Sequence, residues 1–315
     1  MRSLRIVFMG TPDFAVASLE SILNADYNVV GVITAPDKPA GRGRKLQESP
    51  VKKFAVSKGL KVLQPTNLKD GKFIEELKAL DPNLQVVVAF RMLPKVVWDL
   101  PEYGTFNLHA SLLPQYRGAA PINWAIINNE TKTGVSTFFL DEKIDTGAMI
   151  LQKEIDITPK ESAGELHDKL MELGSGLVVE TLQLIEKGDL SPTPQPLDEL
   201  LKDAPKLNKE NTKINWSNPL NQIYNLIRGL NPYPAAWCIL FNDKKEEKVK
   251  IYHCRKESAS HALENGSIII EDKMLKVAAQ GGYLIIEELQ LPGKRKMDVK
   301  SLLNGYNFSE TAKFR

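Results

Sequence analysis

Cysteine and histidine are scarce in this sequence. Its 315 residues hold two cysteines, Cys238 and Cys254, and four histidines, His109, His167, His253 and His261. None falls in a metal-ligand spacing, and the two cysteines draw no disulfide framework, so neither a metal nor a thiol-stapled scaffold is expected. Long apolar runs are missing too. None approaches the ~20 residues that cross a bilayer. The run within Met1–Gly10 is too short for a signal peptide and reads as a first strand. Net charge is only +2, which by itself does not indicate a nucleic-acid binder. The three-glycine dinucleotide fingerprint is absent from the first strand–turn–helix, so no nicotinamide site is expected. These absences leave a cytoplasmic chain with no membrane partner.

Strands alternate with helical segments through the first half of the sequence. Leu4–Gly10, Asn28–Thr34, Val62–Gln64 and Leu84–Phe90 are compact apolar runs. A helix through about Leu23 begins near Pro12 or Asp13, and Val51–Lys58 and Lys72–Leu80 also read as helical. Continuous apolar runs separated by helices indicate a mostly parallel sheet with helices on both faces, a Rossmann-like α/β arrangement. Val135–Leu140 and Met149–Ile157 read as further strands, and Ser162–Lys187 as a long helix. Gly188-Asp-Leu-Ser-Pro-Thr-Pro-Gln-Pro then reads as a stiff connector. We expect a first domain over 1–189, a linker over 190–206 and a second domain over 207–315. The second domain opens with a helix near Leu220–Arg228, stopped by Gly229. Ala236–Phe241, Val249–His253, Ser267–Ile270, Leu275–Ala278 and Leu284–Leu289 follow as short strands, the pattern of a smaller C-terminal β-barrel. Residues 207–315 carry 17 Lys and Arg against 12 Asp and Glu, a mildly basic excess suited to a polyanion.

One stretch concentrates chemistry: Phe106-Asn-Leu-His-Ala-Ser-Leu-Leu-Pro-Gln-Tyr-Arg-Gly-Ala-Ala-Pro. Residues two apart on a strand share a face, so Asn107 and His109 project together, opposite Phe106 and Leu108. An amide donor beside an imidazole can stabilise charge on a carbonyl oxygen. For an isolated Asn-x-His, two ordinary strand-end polar residues are the competing reading.

With Asp141-Glu-Lys-Ile-Asp-Thr-Gly, this stretch resembles the signature of enzymes that use 10-formyltetrahydrofolate. Gly10-Thr-Pro-Asp-Phe, Pro36-Asp-Lys-Pro-Ala-Gly-Arg-Gly-Arg-Lys-Leu and Ile227-Arg-Gly-Leu-Asn-Pro-Tyr-Pro-Ala-Ala narrow the resemblance to the methionyl-tRNA formyltransferases, over nearly the full chain. The resemblance implies formyl transfer from 10-formyltetrahydrofolate to the α-amine of methionyl initiator tRNA, with Asn107, His109 and Asp145 as the catalytic set. Asn107 and a protonated His109 would face the formyl oxygen. Asp145 would orient the imidazole and take the amine proton, directly or through water, and His109 would protonate the departing folate nitrogen. No covalent enzyme intermediate is needed.

The same resemblance places Ser111, Leu112, Leu113 and Pro114 at the folate site, with Phe90 and Met92 on its wall. Here the chain departs from the family pattern: Ala89-Phe-Arg-Met-Leu-Pro is one residue shorter than expected, with Arg91 in place of a glycine. Lys38, Arg42, Arg44 and Lys45 lie in a Gly/Pro-rich loop of net +3 counting Asp37, and the family places such a loop at the acceptor stem of tRNA. The C-terminal domain resembles an oligonucleotide-binding barrel. A monomer is expected. Two other readings compete: formylation of a small amine such as an amino-sugar nucleotide or glycinamide ribonucleotide, and an inactive RNA-binding protein. The basic loop argues against the first, and intact Asn107, His109 and Asp145 against the second.

Overall fold

Apolar runs too short to be helices and too continuous to lie on a surface build the first sheet. A computed structural model describes residues 1–40, 45–196 and 200–315. In chain order the first elements are β1 (Arg5–Gly10), α1 (Asp13–Asn24), β2 (Asn28–Ile33), β3 (Lys38–Ala40), β4 (Lys45–Gln47), α2 (Pro50–Ser57), β5 (Val62–Leu63), α3 (Gly71–Ala79), β6 (Leu84–Val88), α4 (Lys95–Trp98) and β7 (Thr105–His109). Then come β8 (Arg117–Gly118), α5 (Pro121–Ile127), β9 (Lys132–Phe139), β10 (Met149–Asp156), α6 (Ala163–Lys187), β11 (Asp203–Ala204) and α7 (Leu220–Leu230). The C-terminal part holds β12 (Ala236–Asn242), β13 (Lys245–Ser258), β14 (Ile268–Glu271), β15 (Met274–Ala279), β16 (Gly282–Gln290), β17 (Met297–Asp298), α8 (Val299–Leu303) and β18 (Lys313–Phe314). Two compact units result: Met1–Gly118 with Lys132–Ile155 and His167–Asp203, and Ala119–Thr131 with Asp156–Leu166 and Ala204–Arg315.

The first unit is a seven-stranded sheet in the order β10-β9-β7-β6-β1-β2-β5. β1 pairs in parallel with β2 and β6, β6 with β7, and β2 with β5, whereas β9 runs antiparallel to β7. Val7 and Met9 face one layer, where they pack with Val87, Phe73 and Leu77 of α3 and Val97 of α4. The opposite face carries α1 and α6: Leu108 packs on Gly174 so closely that a Cβ there would lie 2.8 Å from its methyl, and Thr137 and Thr181 share a 2.8 Å hydroxyl bond. Phe14 of α1 meets His167 of α6 edge to face, with ring centroids 5.3 Å apart. Coverage on both faces explains why all of β1 from Ile6 to Met9 is apolar. Helix starts are set locally. Ser49 caps α2 ahead of Pro50 and Asp70 caps α3, each accepting a backbone N–H of the first turn. Because the order of connection reverses at β1, ligands have access beyond the carboxyl ends of the central strands, and β7 ends there on His109.

The second unit curls an antiparallel sheet, β14-β15-β16-β13-β12-β18, into a half-barrel, with β17 added beside β16. A Ser267–Lys313 bridge joins the first and last strands of that path. Its core gathers Trp216, Ile223, Leu240, Val249, Ile286 and Phe314.

Three expectations need correction. Gly229 does not stop α7, which runs to Leu230. Gly229 is there for close packing: a Cβ would lie 2.6 Å from Ile127 Cγ1 of α5. Its neighbour Arg228 is buried, with its guanidinium donating to Asn225 Oδ1 and the carbonyls of Glu161 and Ile126. β13 is 14 residues long rather than the five of Val249–His253, because its charged ends pair with β12 and β16 even where they bury little. Finally, the basic loop is not wholly irregular: its flanks pair as β3 and β4.

Candidate active site

β7 lies between β6 and β9, and its register decides which side chains can meet. Asn107 sits opposite Val87 on one side and Phe138 on the other, and His109 opposite Ser136. Phe106 and Leu108 are buried, as the period-two reading requires. His109 is 7% exposed, and its Nε2 lies 2.8 Å from the Tyr116 carbonyl oxygen. A carbonyl only accepts, so Nε2 carries hydrogen and the variable proton of the ring belongs to Nδ1. Nδ1 faces Asp145 Oδ2 at 3.9 Å. That is an ion-pair distance, longer than a direct N–H···O bond.

Asp145 arrives from the loop between β9 and β10. Its φ is +54°, in the left-handed region that Asp tolerates better than most side chains. The Gly118 backbone N–H donates to its Oδ2 at 2.9 Å. Within the same loop, Asp141 Oδ1 accepts from the Lys143 N–H and the Thr146 hydroxyl. Gly147 closes the loop against β9, where a Cβ would fall 1.7 Å from the Phe139 carbonyl oxygen, so no other residue fits. The Asn107 side-chain oxygen is buried with no partner. A buried amide oxygen without a partner costs about 1–3 kcal/mol.

The predicted folate segment folds back on itself beside β9. The Ser111 hydroxyl donates to the Gln115 carbonyl at 2.7 Å. Leu113 is buried, with its N–H bonded to Ser136 Oγ at 3.1 Å and its carbonyl to Gln152 Nε2 at 3.0 Å. Leu112 packs over Gly134, and Pro114 is half-buried. Met92 is 69% exposed and lines a cleft of about 840 Å³ with Leu68, Arg91, Leu93, Pro94, Trp98 and Glu142. Phe90 is half-buried and does not line that cleft. Arg91, the departure from the glycine, donates to the carbonyls of Thr66, at 2.9 Å, and Pro65, and lies over the Phe90 ring.

Of the predicted RNA contacts, Lys38 is exposed on β3 and Lys45 begins β4, while Arg42 and Arg44 lie outside the described residues. Asp37, counted with this loop, turns to neighbours outside it. It accepts from Lys52 Nζ at 2.5 Å and Gln64 Nε2 at 2.8 Å, and these bonds hold its carboxyl below the ordinary carboxylate range.

Sequence reasoning missed Gln195, Arg117 and the backbone groups of Tyr116 and Gly118. Thr193 exchanges two backbone bonds with Met149, and Gln195 is 8% exposed. Its Nε2 donates to the carbonyls of Asp145 and Gly147, both at 2.9 Å, and its Oε1 accepts from Arg117 Nε and Nη2 at 3.1 and 2.6 Å. A glutamine between prolines gives no sequence signal of this. Among the described residues, no group of three or more His, Cys, Asp and Glu could hold a metal, and no helix is long and apolar enough to cross a membrane. Cys238 is buried and Cys254 half-buried, and desolvation pushes both thiols up, which disfavours a nucleophilic thiolate at either.

Residues 4–182 match the family described as formyl transferase, and residues 206–307 match the formyl transferase C-terminal domain. The chain belongs to the formyl transferase family. It is 59% identical to a methionyl-tRNA formyltransferase of Flavobacterium johnsoniae over 99% of both chains. It is 51% identical to one of Bacteroides fragilis over 99% of this chain and 98% of that one. The fold is also that of HypX from Aquifex aeolicus, solved with tetrahydrofolic acid, at TM-score 0.66 and 17% identity. That match covers 96% of this chain but only 47% of HypX, so the chain spans about half of that larger protein. WlaRD, a sugar 3N-formyl transferase solved with dTDP and 5-N-formyl-THF, matches at TM-score 0.65 and 22% identity over 94% of this chain and 100% of that one. In this formyl transferase, the matched residues 4–182 include both β7 and the β9–β10 loop, which bring His109 and Asp145 together.

Proposed function

We propose that this formyl transferase moves the formyl group of 10-formyltetrahydrofolate to the α-amine of methionyl initiator tRNA, in the cytoplasm and as a monomer. One observation carries the reading: Asp145, 36 residues from His109 in sequence, stands 3.9 Å from its imidazole in a chain 59% identical along its length to a methionyl-tRNA formyltransferase. The site suits a polar one-carbon unit. The Asn107 amide, which carries N–H donors, shares a face of β7 with the His109 imidazole that pairs with Asp145. The cleft of Leu68, Met92, Leu93 and Trp98 offers apolar walls to a flat heterocycle, and Glu142 on its rim belongs to the same loop as Asp145.

When bound, the folate supplies the formyl carbon and the nitrogen that leaves. Asn107 donates its amide N–H to the formyl oxygen as negative charge develops there. His109, with Nε2 tied to the Tyr116 carbonyl, holds and moves its proton at Nδ1. A 3.9 Å gap lets one reacting atom sit at about 2.9 Å from both Nδ1 and the Asp145 carboxylate. Asp145 thereby accepts the proton that the amine loses, and the imidazole returns one to the leaving nitrogen.

In this reading Ser111, Leu112, Leu113 and Pro114, with Phe90, border the folate outside that cleft, and Met92 meets it from within. Lys38, Arg42, Arg44 and Lys45 grip tRNA from the loop, helped by the barrel. Residues 1–189 are the catalytic domain, 190–206 the linker and 207–315 the tRNA-binding domain. The test is a formylation assay with charged initiator tRNA in competition with amino-sugar nucleotides. Formylated methionyl-tRNA is the expected product, and exclusive modification of the sugar amine would reject the assignment.

A further inference from the structure

We propose that Gln195 is a positioning residue for Asp145, an inference that rests on the catalytic reading above. Its side chain has four hydrogen-bonding positions, and all four are filled: two donors by the carbonyls of Asp145 and Gly147, two acceptor sites by the Arg117 guanidinium. The amide cannot be turned over, because a carbonyl cannot donate and a guanidinium cannot accept. It is therefore a bracket with a defined sense, holding the end of the 141–147 loop on one side and the Tyr116–Gly118 turn on the other.

That turn touches both members of the ion pair. The Tyr116 carbonyl holds His109 Nε2, and the Gly118 N–H holds the Asp145 carboxylate. Arg117 lies between these two groups in sequence, so a bond to Arg117 sets the turn while bonds to residues 145 and 147 set the loop. The bracket itself is anchored. Pro194 and Pro196 restrict the backbone on either side, and Thr193 pairs with Met149 through bonds of 2.8 and 2.9 Å. Further along, the Lys202 carbonyl accepts from the Tyr116 N–H at 2.6 Å, and the Lys202 N–H donates to Gln115 Oε1 at 2.9 Å. The segment read from sequence as a connector thus supports both loops of the site. Asp145 needs that support, since its left-handed backbone places the carboxylate through a strained residue rather than through sheet register.

The experiment compares Gln195→Met, Gln195→Glu and Asp145→Asn in the full chain. Methionine keeps the length and removes all four bonds. Glutamate keeps the acceptors for Arg117 and turns oxygen toward two carbonyls. Gln195→Met is expected to lower kcat about tenfold or more while KM for tRNA and folate stays within about twofold, and to displace the pH profile of kcat. A purely architectural role would lower the melting temperature and leave the kcat of folded enzyme and its pH profile in place. If Gln195→Met does not fold, Gln195→Glu decides, and a full rate with an unmoved profile overturns the proposal. Full activity at residue 195 with loss in Asp145→Asn rejects the positioning role alone. Full activity in Asp145→Asn rejects the catalytic reading with it.

Discussion

Asn107 and His109 reach the site by a different route from Asp145. The first two stand on β7, where parallel pairing with β6 and antiparallel pairing with β9 set every side chain at once. Asp145 stands in a loop, with positive φ, and is held by a Gly118 N–H, a glycine that cannot take a side chain, and a glutamine 50 residues away. Sheet register is cooperative, so one substitution on a strand hardly moves its neighbours. A loop residue depends on a few separate bonds, each of which can be cut alone. The strand therefore supplies fixed donors, and the loop supplies the group whose position can be tuned.

That contrast is broken most strongly by removing the groups proposed to act on the formyl unit. Asn107→Ala should cost about 10²–10³ in kcat and His109→Ala about 10²–10⁴. Asn107→Ala should leave the thermal melt nearly unchanged, whereas His109→Ala, which vacates a buried ring and its bond to the Tyr116 carbonyl, should lower it while the protein still folds. Loss of folding together with rate would mean that both are structural. Gly147→Ala comes next and tests the loop alone. Its Cβ cannot fit against the Phe139 carbonyl, so about 1–3 kcal/mol of stability should be lost, with kcat falling even in protein that remains folded. Urea titration and steady-state kinetics on one preparation would separate the two effects.

A smaller effect belongs to the Asp37–Lys52 pair beside the basic loop. Because its bonds depress the Asp37 carboxyl in the folded state, its stabilisation is present above the ordinary carboxylate range and is lost as pH falls through the folded value. The urea midpoints of wild type and Asp37→Asn should differ at neutral pH and converge in acid; a constant gap would argue against the pairing. The smallest change is expected from Lys38→Ala, which should flatten the salt dependence of tRNA binding by about one charge and leave the apparent KM for folate alone.

Much of the parallel sheet was legible because its strands are buried on both sides. Runs such as Ile6–Met9 and Val86–Val88 are apolar at every position, and only a covered strand tolerates that. The edges were harder to read. β3 and β4 hold three residues each, and the ends of β13 are charged, so pairing there comes from backbone bonds without a hydrophobic pattern. Gly229 carried the local signal of a helix end, which tertiary packing against Ile127 overrode. Arg228 next to it, in a motif visible in the sequence, turned out to be a buried fastener.

The sequence alone determined that Asn107 and His109 share a face, because the two-residue period of a strand is a local property of the backbone. It also determined the alternation of strand and helix that forces a covered parallel sheet. The meeting of His109 with Asp145, and of Asp145 with Gln195, was decided only by the tertiary structure. Those contacts join three segments whose local conformations are independent, and only the packing of the whole unit brings their polar groups within bonding distance.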